Sequence, residues 1–458
     1  MSITNNHVHG SLTVAVTFPE EKRLKKVVIV GTGYVGMACA IGFAEFGHAI
    51  VGVDIDSERV RQLKRGVAPY REAGLDESLR RHLQAGKLDF TGDLGAAVRG
   101  ADCIIVAVGT PSRPDGSADL AALNGVIDSL AELDLRGSIV ALRSTVPPGT
   151  SGPIADRLRG NADVVYSPEF LREGSAVEDF LNPDRIIIGA DSAHAADRFA
   201  RLFDSLRKPV SITSFVNAEL IKGFSNAFLA LKISFANEVA NMCDAVDGDA
   251  LEVLSGVGQD KRIGAAYLRP GIGFGGPCFE KDVKSLVHTG ALVDSNPLLL
   301  KAVLDVNGAQ PTRIEAVLEA ELGDLRGLHV GVWGLAFKSG TSDVRDSLAI
   351  RVVENLVARG ARVVAYDPAV SGPSDAIPCE VVTSPLEAAT ADVLVVLTDW
   401  PSFRDVDAWA IAKRVRRNLV VDGRNVLDPD SIAAAGLTYR GIGRRRLPED
   451  VVSLAQVV

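Results

Sequence analysis

The most chemically loaded stretch of this 458-residue chain runs Gly271-Ile272-Gly273-Phe274-Gly275-Gly276-Pro277-Cys278 and is followed closely by Lys281-Asp282. Glycines at that density let a ligand approach the backbone. A thiol beside a cation and a carboxylate has the makings of a nucleophile with proton-transfer partners. Cys278 and Asp282 are spaced i,i+4, which sets both on one face if the segment is helical. The same spacing recurs in Lys222 with Asn226 and in Glu169 with Glu173. Lys222 and Asn226 interrupt an apolar helical pattern, where a polar pair needs partners or water. On spacing alone, a solvated helix face is the better reading of that pair. Cys39, Cys103, Cys243 and Cys379 lack such surroundings and read as buried filler. With five scattered cysteines, no CxxC and no HxxxH pair, neither a disulfide framework nor a metal site is expected, and a reducing cytoplasm fits.

A second centre is Gly31-Thr32-Gly33-Tyr34-Val35-Gly36. It follows the apolar run Lys26–Val30 and opens a helical pattern that continues through Phe46, and a second strand, Ala49–Val53, ends on Asp54. Strand, glycine turn, helix and strand in this order supply the context that a bare GxGxxG lacks. The turn must be tight, the backbone must approach a pyrophosphate, and the helix must pack closely on its strand, while N–H groups at the helix start attract the phosphates. Asp54 is placed to accept hydrogen bonds from a ribose diol.

These groups need a scaffold. Further buried strands are expected at 103–108, 138–142 and 185–188, with helical stretches between them, giving a parallel doubly wound sheet. From Asn217 to Asp244 runs a proline-free helical pattern containing Leu220, Phe224, Phe228, Leu231 and Phe235, suited to burial between domains or subunits. After about Gly323 the alternation restarts, with strands expected at 329–333, 361–366, 391–397 and 418–421 and a helix over 349–359. A second Rossmann-type sheet follows, although its first turn, Gly331-Val332-Trp333-Gly334-Leu335-Ala336, lacks the dinucleotide fingerprint.

Composition agrees with a large globular chain. Hydrophobic residues make up 47% and charged residues 23%, enough apolar material for substantial cores, and the length suits two to four domains. Lys plus Arg is 49 against Asp plus Glu at 58, a net −9, the wrong sign for a surface that collects nucleic acid. No apolar run is long enough to span a membrane, and residues 1–24, without signal-peptide character, read as a mobile leader.

Taken in order, these segments resemble the nucleotide-sugar dehydrogenases, the family acting on UDP-glucose and GDP-mannose. The resemblance is carried by GTGYVG at 31–36, VGTP at 108–111, STVPPGT at 144–150, SPEFLREGSA at 167–176, and Lys222 with Asn226. It continues through YLRPGIGFGGPC at 267–278, KD at 281–282, GLAFK at 334–338, DVRDS at 343–347 and DGRN at 422–425. It implies oxidation of the C6 alcohol of UDP-glucose to an aldehyde and then a carboxylate, reducing two NAD⁺ and releasing UDP-glucuronate. A free aldehyde is a poor hydride donor, so the second step would use a thiohemiacetal and then a thioester on Cys278. Asp282 would orient or activate water, Lys222 would stabilise developing oxyanions with help from Asn226, Thr145 would sit by the reacting alcohol, and Glu173 near nicotinamide and water.

By the same resemblance, the NAD contacts are Gly31, Gly33, Tyr34, Val35, Gly36, Asp54, Thr110, Thr145, Glu173, Lys281 and Arg345. The substrate contacts are Glu169, Phe170, Leu171, Arg172, Glu173, Lys222, Asn226, Arg262, Tyr267, Leu268, Arg269, Pro270, Gly271, Gly275, Lys338 and Arg424. One departure is Glu280, where the family commonly has proline. In a helix it would be turned about 200° from Cys278 and so away from the reacting centre.

The expected architecture is α/β, with two Rossmann-type doubly wound domains joined by a long central helix and helical connector. The leader 1–24 precedes an NAD-binding domain at 25–216, a connector and dimerisation domain at 217–322 and a UDP-sugar-binding domain at 323–446, with a tail at 447–458. The expected partners are UDP-glucose and a second copy in a homodimer, with no nucleic acid and no membrane. GDP-mannose or a UDP-N-acetylhexosamine is the alternative substrate. A two-electron β-hydroxyacid dehydrogenase would not need Cys278, and a catalytically silent nucleotide-sugar sensor would not need Lys222, Cys278 and Asp282 together.

Overall fold

The computed structural model describes residues 25–372 and 375–445, so the expected leader and tail lie outside the described residues. The chain divides into two compact units, Met1–Phe224 and Ser225–Val458. In the first, β1 (Lys26–Val30), β2 (Ala49–Val53), β3 (Leu88–Thr91), β4 (Cys103–Val106), β5 (Ile139–Leu142), β6 (Asp163–Tyr166), β7 (Ile186–Gly189) and β8 (Val210–Thr213) form one sheet in the order β3-β2-β1-β4-β5-β6-β7-β8. In the second, β9 (His329–Trp333), β10 (Arg362–Tyr366), β11 (Glu380–Val381), β12 (Val393–Val396), β13 (Leu419–Asp422) and β14 (Thr438–Gly441) take the order β11-β10-β9-β12-β13-β14. Each sheet thus reverses direction beside its first strand, at β1/β4 and β9/β12, the crevice where doubly wound folds bind ligands.

The strands read as unbroken apolar runs because both faces of each sheet are covered. Along β1, Val27 and Ile29 enter a core with Met37, Phe43 and Phe199, while Val28 and Val30 enter the opposite one with Ile104, Ile127 and Leu130. In the second unit Val330, Val332, Val393 and Val395 face one core, and Trp333, Leu394 and Val396 the other.

The expected strands are present, two of them shorter at their C-terminal ends, while those expected over 185–188 and 418–421 each run one residue further, to Gly189 and Asp422. The run expected over 103–108 stops at Val106 and that over 391–397 at Val396, because the chain there turns away from the sheet. β3, β6, β8, β11 and β14 were not expected: each is short, and β3 alternates burial rather than hiding every residue. One departure from a wholly parallel first sheet is the β6–β7 pairing, which is antiparallel, with Tyr166 opposite Gly189. The expected helix over 217–244 runs Phe215–Val246, and four further helices, Ala250–Gly258, Phe279–Leu292, Leu298–Ala309 and Thr312–Leu322, precede β9.

The missing fingerprint of the second sheet has a physical counterpart. Asp367, just after β10, accepts the N–H groups of Leu335 and Ala336 and the indole N–H of Trp400 on one oxygen, and those of Ala369 and Val370 on the other. A carboxylate of the chain itself takes the amides of the turn after β9.

Trp333 is fully buried at the end of β9, its indole N–H donating to the Pro385 carbonyl at 2.8 Å. Trp333→Ala should cost about 3–5 kcal/mol from the cavity and strand that carbonyl. Urea denaturation followed by far-UV circular dichroism should show the loss, with Trp333→Phe intermediate.

Candidate active site

In the first unit the three glycines of the turn do three different things. A Cβ on Gly31, whose φ is +91°, would lie 2.8 Å from the Ala107 carbonyl oxygen; one on Gly36 would lie 1.8 Å from that of Gly31, so the helix packs directly on the turn. A Cβ on Gly33 would meet nothing within 4 Å, leaving open space where the helix Tyr34–Glu45 begins. That is the cradle a pyrophosphate needs: approachable backbone at a helix N-terminus. Val35 is half-buried behind it.

Asp54 is buried, and one oxygen accepts the Thr32 N–H at 2.9 Å, the Thr32 hydroxyl at 2.7 Å and Arg59 at 3.2 Å. The other accepts the Asp56 N–H at 3.0 Å. Burial opposes its ionisation, but the hydrogen bonds from Asp56 and Thr32 and the nearby Arg59 outweigh it and hold the carboxyl below its usual value. Arg59 escaped the sequence reading; its signal was a cation in the first turns of the helix after Asp54.

Around the crevice, the Thr110 hydroxyl donates to the Thr145 carbonyl at 2.6 Å, and the Ser144 hydroxyl to that of Val108 at 2.6 Å, so the two loops are tied together. Glu219, 1% exposed on the long helix, accepts the N–H of Gly149 at 2.6 Å and of Ser151 at 2.7 Å. Burial pushes its carboxyl up, with those N–H groups opposing. Glu219 was also missed, though it precedes Lys222 by one helical turn. It fixes the Thr145-bearing loop to the helix that carries Lys222.

Lys222 is 4% exposed, and its ammonium lies 2.9 Å from Glu169, itself 8% exposed. The Phe170 ring centroid is 5.5 Å from that ammonium and 4.0 Å from the Arg185 guanidinium. The solvated-face reading of Lys222 is therefore overturned. So is a shared helical face for Glu169 and Glu173, since 167–172 is not helical; Glu169 instead folds back to accept the Leu171 N–H at 2.7 Å. Arg172 is exposed and chelates Asp179, while Glu173 is half-buried.

In the second unit the glycine loop is held from several directions. The Gly271 N–H donates to Asn237 at 2.7 Å, and Asn307 both accepts from and donates to the Phe274 backbone, as a neighbouring strand would. A Cβ on Gly275 would fall 2.5 Å from the Asp346 carbonyl oxygen. Tyr267 takes a left-handed φ of +64°, Leu268 and Pro270 are buried, and Arg269 is exposed.

The loop delivers Cys278 to the N-cap of the helix Phe279–Leu292, where the thiol is exposed and the helix dipole favours negative charge. One turn later Asp282 is 3% exposed, accepting from Asn226 at 2.6 Å on one oxygen and from Lys281 at 2.6 Å on the other. Asn226 thus serves the carboxylate. Glu280 pairs along the helix with Lys284 at 2.6 Å. Burial pushes the thiols of Cys39, Cys103 and Cys243 up and that of Cys379 up to about 11, and Cys278 alone of the five is exposed.

The outlying arginines differ among themselves. Arg424 is turned inward, donating to the carbonyls of Leu397 and Gly273, both at 2.9 Å. Arg262 and Arg345 are exposed and chelate Asp260 and Asp343. Lys338 is half-buried, its ammonium 5.6 Å from the Phe337 ring centroid. Among the described residues no group of His, Cys, Asp and Glu could hold a metal, and no helix is long and apolar enough to cross a membrane.

Comparison with known proteins meets this geometry. The sequence model of the UDP-glucose/GDP-mannose dehydrogenase family matches in three parts: its NAD binding domain at residues 25–207, its central domain at 216–309 and its UDP binding domain at 331–429. A UDP-glucose 6-dehydrogenase of Rhizobium meliloti (strain 1021) is 40% identical over 439 residues, covering 92% of this chain and 99% of that one. The structure of a UDP-glucose dehydrogenase from the hyperthermophilic archaeon Pyrobaculum islandicum superposes with a TM-score of 0.86 at 38% identity, covering 94% of this chain and 100% of that one. A UDP-D-ManNAc dehydrogenase from Pyrococcus horikoshii follows with a TM-score of 0.82 at 31% identity, covering 92% and 100%. With three family domains matched in chain order and a likeness spanning nearly the whole length of each relative, this chain belongs to the UDP-glucose/GDP-mannose dehydrogenase family, the NAD-dependent enzymes that oxidise nucleotide sugars.

Proposed function

We propose that the chain oxidises UDP-glucose at C6 to UDP-glucuronate in two two-electron steps, with Cys278 as the covalent nucleophile of the second. The observation that carries this is an exposed thiol at a helix N-terminus, one turn before a buried carboxylate held by Asn226 and Lys281. A β-hydroxyacid dehydrogenase has no use for such a thiol. Glucose is supported by the relatives named UDP-glucose dehydrogenases, and the ManNAc enzyme of Pyrococcus horikoshii keeps an N-acetylated sugar as the second reading.

The turn Gly31–Gly36 and Asp54 fit NAD through the open backbone at Gly33 and a carboxylate within reach of a ribose. NAD⁺ held by these residues would supply the hydride acceptor for each oxidation. Thr145 orients the C6 alcohol, which loses a hydride and a proton to become the aldehyde. Cys278 then adds to the aldehyde carbon: the C–S bond forms as the C=O π bond opens, Lys222 steadies the oxygen as it gains charge, and the thiol proton ends on that oxygen as the thiohemiacetal hydroxyl. Loss of a second hydride and the hydroxyl proton leaves a thioester. Water oriented by Asp282 and Glu173 attacks it, the C–S bond breaks, the thiolate leaves and the carboxylate is released. Substrate contacts come from 169–173, Lys222, Asn226, Arg262, 267–271, Gly275, Lys338 and Arg424. Those to NAD add Tyr34, Val35, Thr110, Lys281 and Arg345.

By role, the chain then comprises an NAD-binding domain over 25–216, a connector over 217–322 and a UDP-sugar-binding domain over 323–446. The connector also makes a homodimer: Phe224, Phe228, Phe235 and Met242, at 51%, 61%, 47% and 65% exposure, form an apolar stripe along one helix that a second copy would cover. Five cysteines without a disulfide suit a reducing cytoplasm.

Two measurements test this reading. Limiting UDP-glucose should yield two NADH per sugar without accumulating aldehyde, and Cys278→Ala should cut uronate formation by about a thousandfold or more. One NADH per sugar, none at all, or near wild-type turnover by the variant would each overturn it. Separately, a 2′-phosphate about 4 Å from Asp54 would cost about 4 kcal/mol at an effective dielectric of about 20, partly offset by Arg59. NAD⁺ should therefore be preferred to NADP⁺ by about a hundredfold in kcat/KM. Asp54→Ser, which releases Arg59 to meet that phosphate, should narrow the preference at least about tenfold.

A further inference from the structure

Glu72 lies in the loop between the second helix of the first unit, Ser57–Lys64, and the third, Leu75–Gln84. Nothing in its sequence surroundings marks it for chemistry. Its carboxylate nevertheless joins two segments far apart in the chain. One oxygen accepts the hydroxyl of Tyr34 at 3.1 Å, and the other accepts the N–H of Val177 at 2.8 Å. Tyr34 belongs to the dinucleotide turn, and its hydroxyl also accepts the N–H of Gly174, the residue after Glu173. Its ring stacks on Tyr70 with centroids 4.0 Å apart, and the Tyr70 hydroxyl donates to the Tyr34 carbonyl at 3.2 Å. Tyr34 therefore has few ways to move: one ring face is covered, its carbonyl is taken, and its hydroxyl is held between a donor and an acceptor.

Burial, opposed by the Gly174 N–H and reinforced by the charge of Glu72, pushes the Tyr34 phenol up, so it remains a hydrogen-bond donor at any working pH. The donor and acceptor senses of the chain are thereby set: Gly174 N–H to the Tyr34 oxygen, the Tyr34 O–H to Glu72, and the Val177 N–H to Glu72.

We infer that Glu72 is a positioning residue that locks the Glu173–Gly174 turn to Tyr34, so that filling the dinucleotide turn orders the sugar-binding segment and tightens the hold on the nucleotide sugar. The inference rests on the reading of 169–173 as that segment. Glu72 touches neither ligand in this account; it acts through Tyr34 and the 174–177 backbone. A ligand that settles on Gly31–Gly36 fixes the backbone of Tyr34, and one hydroxyl passes that constraint to Gly174. Linkage requires the converse as well, the sugar tightening the dinucleotide by the same factor.

The test uses NADH with UDP-glucose, a pair that cannot react, and calorimetric titration of the intact protein. In the wild type, saturating NADH should lower the UDP-glucose Kd at least about fivefold. In Glu72→Ala that factor should fall to within about twofold of unity, while the Kd for UDP-glucose alone changes much less. Tyr34→Phe keeps the stacked ring and removes only the hydroxyl, so it reads the same lock if Glu72→Ala folds poorly. The double variant should lose no more coupling than either single one. A wild-type factor of one, a factor retained in both variants, or losses that add in the double variant would overturn the inference. So would equal weakening of each ligand alone with the factor intact, the mark of a merely structural role. Failure of UDP-glucose to bind the wild type at all would instead overturn the substrate reading, and this inference with it.

Discussion

An ammonium at 4% exposure is the constraint around which the first unit's chemistry is arranged. Glu169 lies 2.9 Å from Lys222 and answers its charge inside the protein, and the Phe170 ring face adds its own attraction. The helix that carries Lys222 must in turn be held still, and one turn earlier Glu219 does so by gathering the amides of the Gly149–Ser151 bend. Removing either carboxylate would leave a buried group without its counterpart, a costlier change than losing a surface pair. The loop with Thr145, the segment with Glu169 and the long helix are thus mutually dependent.

The second unit solves the same problem with less charge. Asp282 is buried between an amide and an ammonium, and the loop leading to Cys278 is held by Asn237 and Asn307 against the glycine backbone. Neutral amides suit a segment of glycines, because both partners of each hydrogen bond are dipoles and little desolvation cost is left over. The thiol can then be left exposed while everything behind it is fixed.

Much of this was legible from residue order. Glycine turns, buried strand runs and Asp54 have local signatures, and Cys278 stood out because its neighbours did. What escaped was non-local or only partly buried. β3, β6, β8 and β14 are four-residue strands that are only partly buried and carry polar residues, whereas β4, β5, β7, β12 and β13, of the same length, are wholly buried. Glu72, Glu219, Asn237 and Asn307 are common residue types whose meaning depends on a partner tens of residues away, and Arg59 is an ordinary helix cation five residues from Asp54. The i,i+4 rule held for Lys222 with Asn226 and for Cys278 with Asp282, where helices are present, and failed for Glu169 with Glu173, where none is. Spacing informs only once the local period is known.

The two sheets share a strand order yet differ in what completes their first turn. In the second, Asp367 supplies a negative charge to the amides of Leu335 and Ala336. In the first, Asp54 takes only the Thr32 amide of the glycine turn, its other oxygen going to the Asp56 amide, and the space above Gly33 stays open. The turn of the second sheet is therefore closed by the chain's own carboxylate, while that of the first presents open backbone at a helix N-terminus. A single carboxylate's reach decides whether the turn after the first strand is sealed or open, so one topology can place its ligand contacts at different points in its two copies.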